Sequence, residues 1–259
     1  MKNVILVLAL LFSLARGMAQ ITIEPVEYRQ GETVLDGYVA YDAALKGKQP
    51  GVVIVHDWMG VGEYVKMRAE QLAKLGYVAF VADIYGRGVR PKNTQEASQQ
   101  AGKYRADRPL LRARAQAALD RLRQEVRVDA GRIAAIGYCF GGGTVLELAR
   151  SGADLAGVIS FHGNLDTPNP DDAKQIKAKV LVLHGGDDPY VPAAQVEAFQ
   201  SEMRKANVDW QFVAYGGAVH AFTQKGAGND PSKGAAYNER ADKRSFVEMT
   251  TFFKELFGK

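Results

Sequence analysis

Residues 132–143 read Arg-Ile-Ala-Ala-Ile-Gly-Tyr-Cys-Phe-Gly-Gly-Gly, and this stretch decides the fold. Residues 132–137 have the apolar character of a buried strand, and residues 142–150 that of a helix. Between them, residues 137–141 match the Gly-x-Ser-x-Gly nucleophile elbow, with Cys139 in place of serine. The turn of such an elbow is so tight that side chains two residues before and after the nucleophile would collide, which explains the glycines. The stretch therefore predicts a strand-to-helix turn that presents the Cys139 thiol as a nucleophile.

Short apolar runs and amphipathic segments alternate along the rest of the chain. The predicted strands are residues 21–28, 33–40, 51–55, 77–82, 132–137, 156–161, 180–183 and 210–215. The predicted helices are residues 64–75, 110–126, 142–150, 191–205 and 237–257. This repeated strand-helix-strand order implies an α/β fold, with a mostly parallel sheet and helices on both faces. Ligands of such sheets bind beyond the carboxyl ends of the strands, so the polar residues that follow the strands are the candidates for function.

Composition and charge exclude several classes of protein. The chain has 259 residues, of which 47% are hydrophobic and 24% charged, as in a globular protein rather than a disordered chain or a membrane bundle. A total of 33 Lys and Arg against 29 Asp and Glu gives a net charge of +4. The basic residues are scattered along helical segments, which is typical of a solvated surface, so no nucleic-acid partner is expected.

The N-terminus has the pattern of a secretory signal peptide. Lys2 precedes an apolar run at residues 4–14, and Gly17 and Ala19 place small residues before a cut after Ala19. The run is too short to span a bilayer. We therefore predict a signal peptide at residues 1–19 and one domain at residues 20–259, exported to the periplasm or the medium without stable membrane association. An uncleaved N-terminal anchor is the alternative.

The base that a catalytic thiol needs is usually a histidine, and the chain holds four. In proteins with this elbow, the order along the chain is nucleophile, acid, histidine. Only His220 lies late enough, in a loop after the last predicted strand. His220 is therefore the predicted base, and an ordinary surface-loop histidine is the alternative interpretation.

The acid that orients this base should follow the penultimate strand, where residues 184–189 read His-Gly-Gly-Asp-Asp-Pro. Either Asp187 or Asp188 could orient the imidazole, and the other would then cap the turn before the next helix. The local sequence does not separate the two aspartates.

A negatively charged tetrahedral intermediate at the thiol would need two backbone N–H donors. The N–H of Phe140 is one candidate, because Phe140 begins the helix that follows Cys139. The second donor is expected from the loop after the strand at residues 51–55, and Trp58 is the candidate there.

Taken together, these segments resemble the dienelactone hydrolases, a family of the α/β-hydrolase superfamily. The resemblance runs from about residue 51 to the last helix and rests on Gly-Tyr-Cys-Phe-Gly-Gly at 137–142, Gly-Gly-Asp-Asp-Pro-Tyr-Val-Pro at 185–192 and the His220 loop. It implies an α/β-hydrolase fold and a triad of Cys139, Asp188 and His220. It also implies hydrolysis of a carboxylic ester or lactone through a thioester. The acid of the family motif directly precedes the proline, so the resemblance favours Asp188 over Asp187.

The resemblance further implies three substrate-binding positions. The family carries a glutamate near the thiol, and Asp57 occupies that position here, one methylene shorter. A family arginine that helps to bind a substrate carboxylate matches Arg87. A second family arginine is replaced by Gln224, which cannot form a bidentate clamp on a carboxylate. The replacement of this arginine by Gln224 favours a substrate that lacks the dienelactone carboxylate.

No metal or other cofactor is expected, because the four histidines lack the spacing of a metal site. The expected partner is a small ester or lactone, and the expected assembly is a monomer or a small homo-oligomer. Two other functions stay open: a general carboxylesterase or thioesterase for uncharged acyl substrates, and a non-catalytic binding protein on a hydrolase fold. A redox thiol is disfavoured, because the chain has no second cysteine to resolve an oxidised Cys139.

Overall fold

The structure is a computed structural model that describes residues 19–258, so the predicted signal peptide lies, except for Ala19, outside the described residues. Its strands are β1 (Ile21–Gln30), β2 (Thr33–Asp42), β3 (Gln49–Val55), β4 (Val78–Ala82), β5 (Val128–Tyr138), β6 (Gly157–Phe161), β7 (Lys179–Gly185) and β8 (Trp210–Tyr215). Its helices are α1 (Glu63–Lys74), α2 (Thr94–Ala106), α3 (Arg108–Arg123), α4 (Phe140–Arg150), α5 (Ala193–Lys205) and α6 (Glu239–Phe257).

All eight strands form one sheet, in the order β1-β2-β4-β3-β5-β6-β7-β8. Strand β2 runs antiparallel to both β1 and β4, and every other neighbouring pair is parallel. The central strands are buried on both faces, which explains why their sequences are continuous apolar runs. The predicted mostly parallel sheet is confirmed.

Two apolar layers join the sheet to its helices. Helices α1 and α6 pack on one face, through residues such as Leu72 and Phe253. Helices α2 to α5 pack on the other face, through residues such as Leu119 and Phe199. Between residues 19 and 258, no helix is both long enough and apolar enough to cross a membrane.

Helix α2 is the element that the sequence did not predict. It has few large apolar side chains and buries only Ala97, Ala101 and Tyr104. Its first turn is capped by Asn93, whose side chain accepts a hydrogen bond from the Glu96 N–H and donates one to the Glu96 carboxylate. This reciprocal cap, rather than an apolar stripe, is the local signal for α2.

A buried network of ion pairs fixes α4, the helix that follows Cys139. Arg150 of α4 is 1% exposed and pairs with Glu147 at 3.0 Å and with Glu202 of α5 at 2.8 Å. Arg112 of α3 binds the other carboxylate oxygen of Glu147 at 2.7 Å. Each buried charge thus has an opposite partner, which offsets its desolvation. The network ties α4 to the helices on both sides of it.

Candidate active site

Cys139 lies in the turn between β5 and α4 with φ 55° and ψ −115°, a backbone region that residues other than glycine rarely adopt. Its N–H donates to the carbonyl of Phe161, at the end of β6, at 3.0 Å. A Cβ atom on Gly137 would lie 2.0 Å from the carbonyl oxygen of Gly141. A Cβ atom on Gly141 would instead lie 2.3 Å from the carbonyl oxygen of Val55, at the end of β3. Gly137 therefore allows the close approach of β5 and α4, and Gly141 that of α4 and β3.

Three side chains converge at the elbow. His220 Nε2 lies 3.1 Å from Cys139 Sγ, and His220 Nδ1 lies 2.8 Å from Asp188 Oδ2. The other oxygen of Asp188 accepts the N–H of Tyr190 at 2.9 Å. Cys139, His220 and Asp188 are 8%, 9% and 6% exposed. The structure thus aligns a carboxylate, an imidazole and a thiol in one nearly buried row.

Asp187 points away from this row. Its carboxylate accepts the N–H of Gly217 at 3.0 Å, and its own N–H donates to the carbonyl of Ala218 at 2.9 Å. Asp187 therefore holds the turn that leads into His220. Of the two aspartates between which the local sequence does not choose, Asp188 is the one that contacts the imidazole.

The charge of His220 depends on its two partners. Burial opposes a charge on the ring, but a negative charge on the Cys139 sulfur, the Asp188 carboxylate and the hydrogen bonds to both outweigh burial and raise the pKa of His220 to about 10. The raised pKa favours the cationic form of the ring, with a proton on both nitrogens. A cationic imidazole beside a thiol stabilises the thiolate, which is the nucleophilic form.

The other three histidines occupy the same edge of the sheet but do not reach the thiol sulfur. His56 Nε2 accepts the N–H of Ile84 at 3.2 Å, and His184 packs on Phe212. His162 Nε2 is hydrogen-bonded to a threonine hydroxyl at 2.7 Å. Desolvation by burial lowers the pKa of all three rings. Among the described residues, no group of three or more potential ligands is arranged to hold a metal ion.

The two predicted oxyanion donors lie on adjoining segments. Phe140 is the first residue of α4, so its N–H has no partner inside the helix. A Cβ on Gly141 would lie 2.6 Å from the carbonyl of His56, so the start of α4 abuts the loop that carries Trp58. The carbonyl of Trp58 is fixed by the Tyr85 hydroxyl at 2.9 Å. Within residues 19–258, neither backbone N–H is taken by an acceptor.

The structure brings Asp57 and Gln224 together. Gln224 Nε2 donates to Asp57 Oδ2 at 2.8 Å, and the Met59 N–H donates to Asp57 Oδ1 at 2.7 Å. Burial raises the pKa of Asp57, while its donors and the nearby charge of His220 act in the opposite direction. The two residues that depart from the family pattern are thus hydrogen-bonded to each other near the base.

Arg87 is not brought to this site. Its Nε donates to both carboxylate oxygens of Asp36, at 3.0 and 3.1 Å, and its Nη2 pairs with Glu27. The side chain is half exposed, and in the described part of the chain it contacts neither the thiol nor the base. Carboxylates of the first two strands occupy this guanidinium, so the geometry does not support the substrate-binding role predicted for Arg87.

The loop around His220 supplies contacts that sequence reasoning missed. The ring of Tyr190 lies 5.4 Å from the His220 ring, at 89° to it. The backbone of His220 bonds to Gly234 at 3.2 Å and to Ala236 at 3.0 Å, which pins the loop to the segment that follows it. Tyr190 stands two residues after Asp188, and this closeness to the predicted acid is the feature of the sequence from which its contact with His220 could have been predicted.

Comparison with known proteins gives a consistent family. The dienelactone hydrolase family model matches residues 35–257. A Bradyrhizobium protein provisionally named 2-oxo-3-(5-oxofuran-2-ylidene)propanoate lactonase is 31% identical over 186 residues, 68% of this chain and 74% of that protein. A Salmonella typhimurium protein provisionally named carboxymethylenebutenolidase is 28% identical over 236 residues, 87% of this chain and 84% of that protein. A solved structure described as a dienelactone hydrolase-like promiscuous phosphotriesterase from metagenomic libraries has a TM-score of 0.87 and 41% identity, covering 91% of this chain and 98% of that one.

The fold and the elbow define the molecule as an α/β-hydrolase, with a cysteine at the elbow position. The chain belongs to the dienelactone hydrolase family, whose model extends from within β2 to the end of α6. It is accordingly a carboxylic ester hydrolase by class. The family resemblance that the sequence predicted is confirmed.

The different contacts of the two aspartates can be tested directly. We expect Asp188→Asn to lower kcat for p-nitrophenyl acetate by about 10²-fold or more, because the imidazole loses the charge that holds its proton. Asp187→Asn is the matched control and should leave kcat close to that of the parent, because the asparagine oxygen can still accept the Gly217 N–H. A larger loss in Asp187→Asn than in Asp188→Asn would contradict the assignment.

Proposed function

We propose that the protein hydrolyses a carboxylic ester or lactone through a triad of Cys139, His220 and Asp188 and through a thioester intermediate. The observation that carries this proposal is the unbroken row from Asp188 Oδ2 through His220 to Cys139 Sγ, with distances of 2.8 and 3.1 Å. A protonated His220 stabilises the thiolate of Cys139, which is the nucleophile, and His220 itself can act as the acid.

Acylation uses the thiolate of Cys139, which attacks the carbonyl carbon of the ester. The carbonyl oxygen becomes an oxyanion, and the backbone N–H groups of Phe140 and Trp58 stabilise it. The carbon–oxygen bond to the alcohol then breaks, and His220 gives its proton to the departing alkoxide. An acyl group remains on Cys139 as a thioester.

Deacylation reverses these roles. His220, now neutral, accepts a proton from water, and the resulting hydroxide attacks the thioester carbonyl. The second oxyanion collapses and expels the thiolate of Cys139, and the carboxylic acid leaves. His220 is again protonated, so the enzyme returns to its starting state. Proton transfer of this kind contributes about 10²- to 10⁴-fold in rate.

Replacement of the nucleophile is the direct test. Cys139→Ala should abolish hydrolysis of p-nitrophenyl acetate while circular dichroism stays unchanged, because this small, buried side chain is removed without adding volume. Rapid acid quenching of the parent with excess ester should show the mass of the acyl group on Cys139. The chain has one cysteine, so iodoacetamide gives an independent block of the same atom. A Cys139→Ala variant with parental activity would refute the triad, whether the substrate is an ester or a thioester.

We further propose that the site prefers acyl groups without a negative charge. The carboxylate of Asp57 adjoins the base, and its hydrogen-bond partner Gln224 is neutral. Two like charges 4 Å apart repel by about 1 kcal/mol in water and by about 4 kcal/mol at the effective dielectric of a protein surface. The guanidinium of Arg87 is already held by two carboxylates. An anionic acyl group would therefore meet repulsion without compensation from these residues.

Gln224→Arg should shift this preference. We expect the ratio of kcat/KM for p-nitrophenyl hydrogen succinate to that for p-nitrophenyl acetate to rise about tenfold, which corresponds to ~1.4 kcal/mol of added attraction. The ratio cancels any general damage to catalysis. Gln224→Asn, which keeps a neutral amide at this position, is the control and should leave the ratio unchanged. An equal ratio in the parent and in Gln224→Arg would overturn the proposed charge preference.

Export is proposed from the N-terminal pattern of Lys2, the apolar run and the small residues before Gln20. When the full chain is produced in a Gram-negative host, mass spectrometry of the periplasmic fraction should show a mature protein that begins at Gln20. A chain without residues 1–19 is the control and should stay in the cytoplasm. Full-length protein found in the cytoplasm alone would refute export.

A further inference from the structure

A chain of hydrogen bonds runs behind His220 through residues that the proposed mechanism does not use. Arg68 Nε donates to the Tyr64 hydroxyl at 3.2 Å, and this hydroxyl is 2.6 Å from the Thr223 hydroxyl. The Thr223 hydroxyl is 2.7 Å from His162 Nε2. We call these four residues the support chain. Tyr64 is half-buried and the other three are buried.

The direction of these hydrogen bonds follows from Arg68, which can only donate. Tyr64 accepts from Arg68, so its own hydroxyl proton is free to go to Thr223. Thr223 then donates to Nε2 of His162, which leaves the proton of the neutral ring on Nδ1. Within residues 19–258, Nδ1 of His162 has no hydrogen-bond partner. In the opposite direction the Tyr64 hydroxyl proton would also lack an acceptor, so the first order satisfies more groups.

Both ends of the support chain reach the loop that carries the base. The His162 ring lies 5.3 Å from the His220 ring, at 66° to it. Thr223 stands three residues after His220, and its carbonyl accepts Arg68 Nη2 at 3.0 Å. Arg68 is in turn held by Asp242 at the start of α6, at 2.6 Å. The side chain and the backbone of Thr223 are therefore both fixed within one short turn of His220.

The charge state of His162 matters to its neighbour. Burial, together with the charges of His220, Arg68 and His184, lowers the pKa of His162 well below its usual range. A hydroxyl that donates to Nε2 favours the same neutral form. A second cation this close would oppose the protonated state of His220, which the Cys139 thiol and the Asp188 carboxylate support.

We propose that the support chain is a positioning element that fixes the ring of His162 against the ring of His220. It thereby holds Nε2 of His220 in line with the sulfur of Cys139. This inference rests on the proposed function, because it takes His220 as the base. His162 contacts the ring of the base and not the sulfur, so it is a positioning residue rather than a catalytic one.

The Thr223 hydroxyl, the central link of the support chain, can be removed with little change in shape. We expect Thr223→Val to lower kcat for p-nitrophenyl acetate about tenfold with little change in KM, since a small misalignment of reacting groups costs rate rather than binding. The pH midpoint of Cys139 alkylation by iodoacetamide should also move upward, because His220 is less well placed to stabilise the thiolate. Thr223→Ser retains the hydroxyl and should behave as the parent in both measurements.

Tyr237→Phe is a matched control. It removes a hydroxyl that donates to Asp242 Oδ2 at 3.2 Å, whereas Arg68 binds Oδ1 of the same carboxylate. This variant should match the parent in kcat, KM and alkylation profile. If circular dichroism shows that Thr223→Val does not fold, Tyr64→Phe takes its place, because it breaks the link between Arg68 and Thr223 and keeps the aromatic ring.

Two outcomes would overturn the positioning role: parental kcat and alkylation profile in Thr223→Val, or equal losses in Thr223→Val and Thr223→Ser. Thr223→Val keeps the methyl group and loses the hydroxyl, and Thr223→Ser does the reverse. The second result would therefore mean that any change at this packed position costs activity, and that the hydroxyl has no particular role. The alkylation profile also separates this inference from the proposed function. A parent protein that does not hydrolyse esters would refute the esterase proposal. The difference in alkylation midpoint between Thr223→Val and Thr223→Ser would still test the role of the support chain, because alkylation does not require ester hydrolysis.

Discussion

The backbone of Cys139 is held in a conformation that few residues other than glycine adopt, and the geometry of the site depends on it. A strained backbone of this kind costs about 1–3 kcal/mol. The surroundings impose it. The N–H of Cys139 is bonded to Phe161, Gly137 lets β5 touch the start of α4, and Gly141 lets α4 touch the end of β3. The sulfur therefore projects from the end of a central strand, beside the free N–H groups at the start of α4.

The part of the site that could be predicted from the sequence is the part that is local or ordered along the chain. The glycines around Cys139 identify the elbow because the tight turn leaves no room for side chains at those positions, and all of them lie within five residues. The order of nucleophile, acid and base then selects His220 among four histidines. The sheet was predictable for a similar reason, because strands that are covered on both faces must be apolar along their whole length.

The remaining features depend on contacts between residues far apart in the sequence. Arg87 matches a substrate-binding position, yet its partner Glu27 lies 60 residues away on β1, and sequence order gives no sign of that pairing. Asp187 and Asp188 are adjacent and chemically identical, but Asp187 is exposed and bonded to the turn at Gly217, whereas Asp188 is buried against His220. Helix α2 was missed because its stability comes from a capped first turn and three buried side chains rather than from an apolar stripe.

Asp57 and Gln224 are 167 residues apart in the sequence and joined by one hydrogen bond. In a nearly buried place, each supplies the partner that the other needs, and an unpaired polar group there would cost about 1–3 kcal/mol. Substitutions at contacting positions of this kind are not additive in their effects. A change at one position therefore alters which residues the other tolerates, so the two are expected to co-vary among relatives. The proposed charge preference of this site therefore depends on the pair rather than on either residue alone.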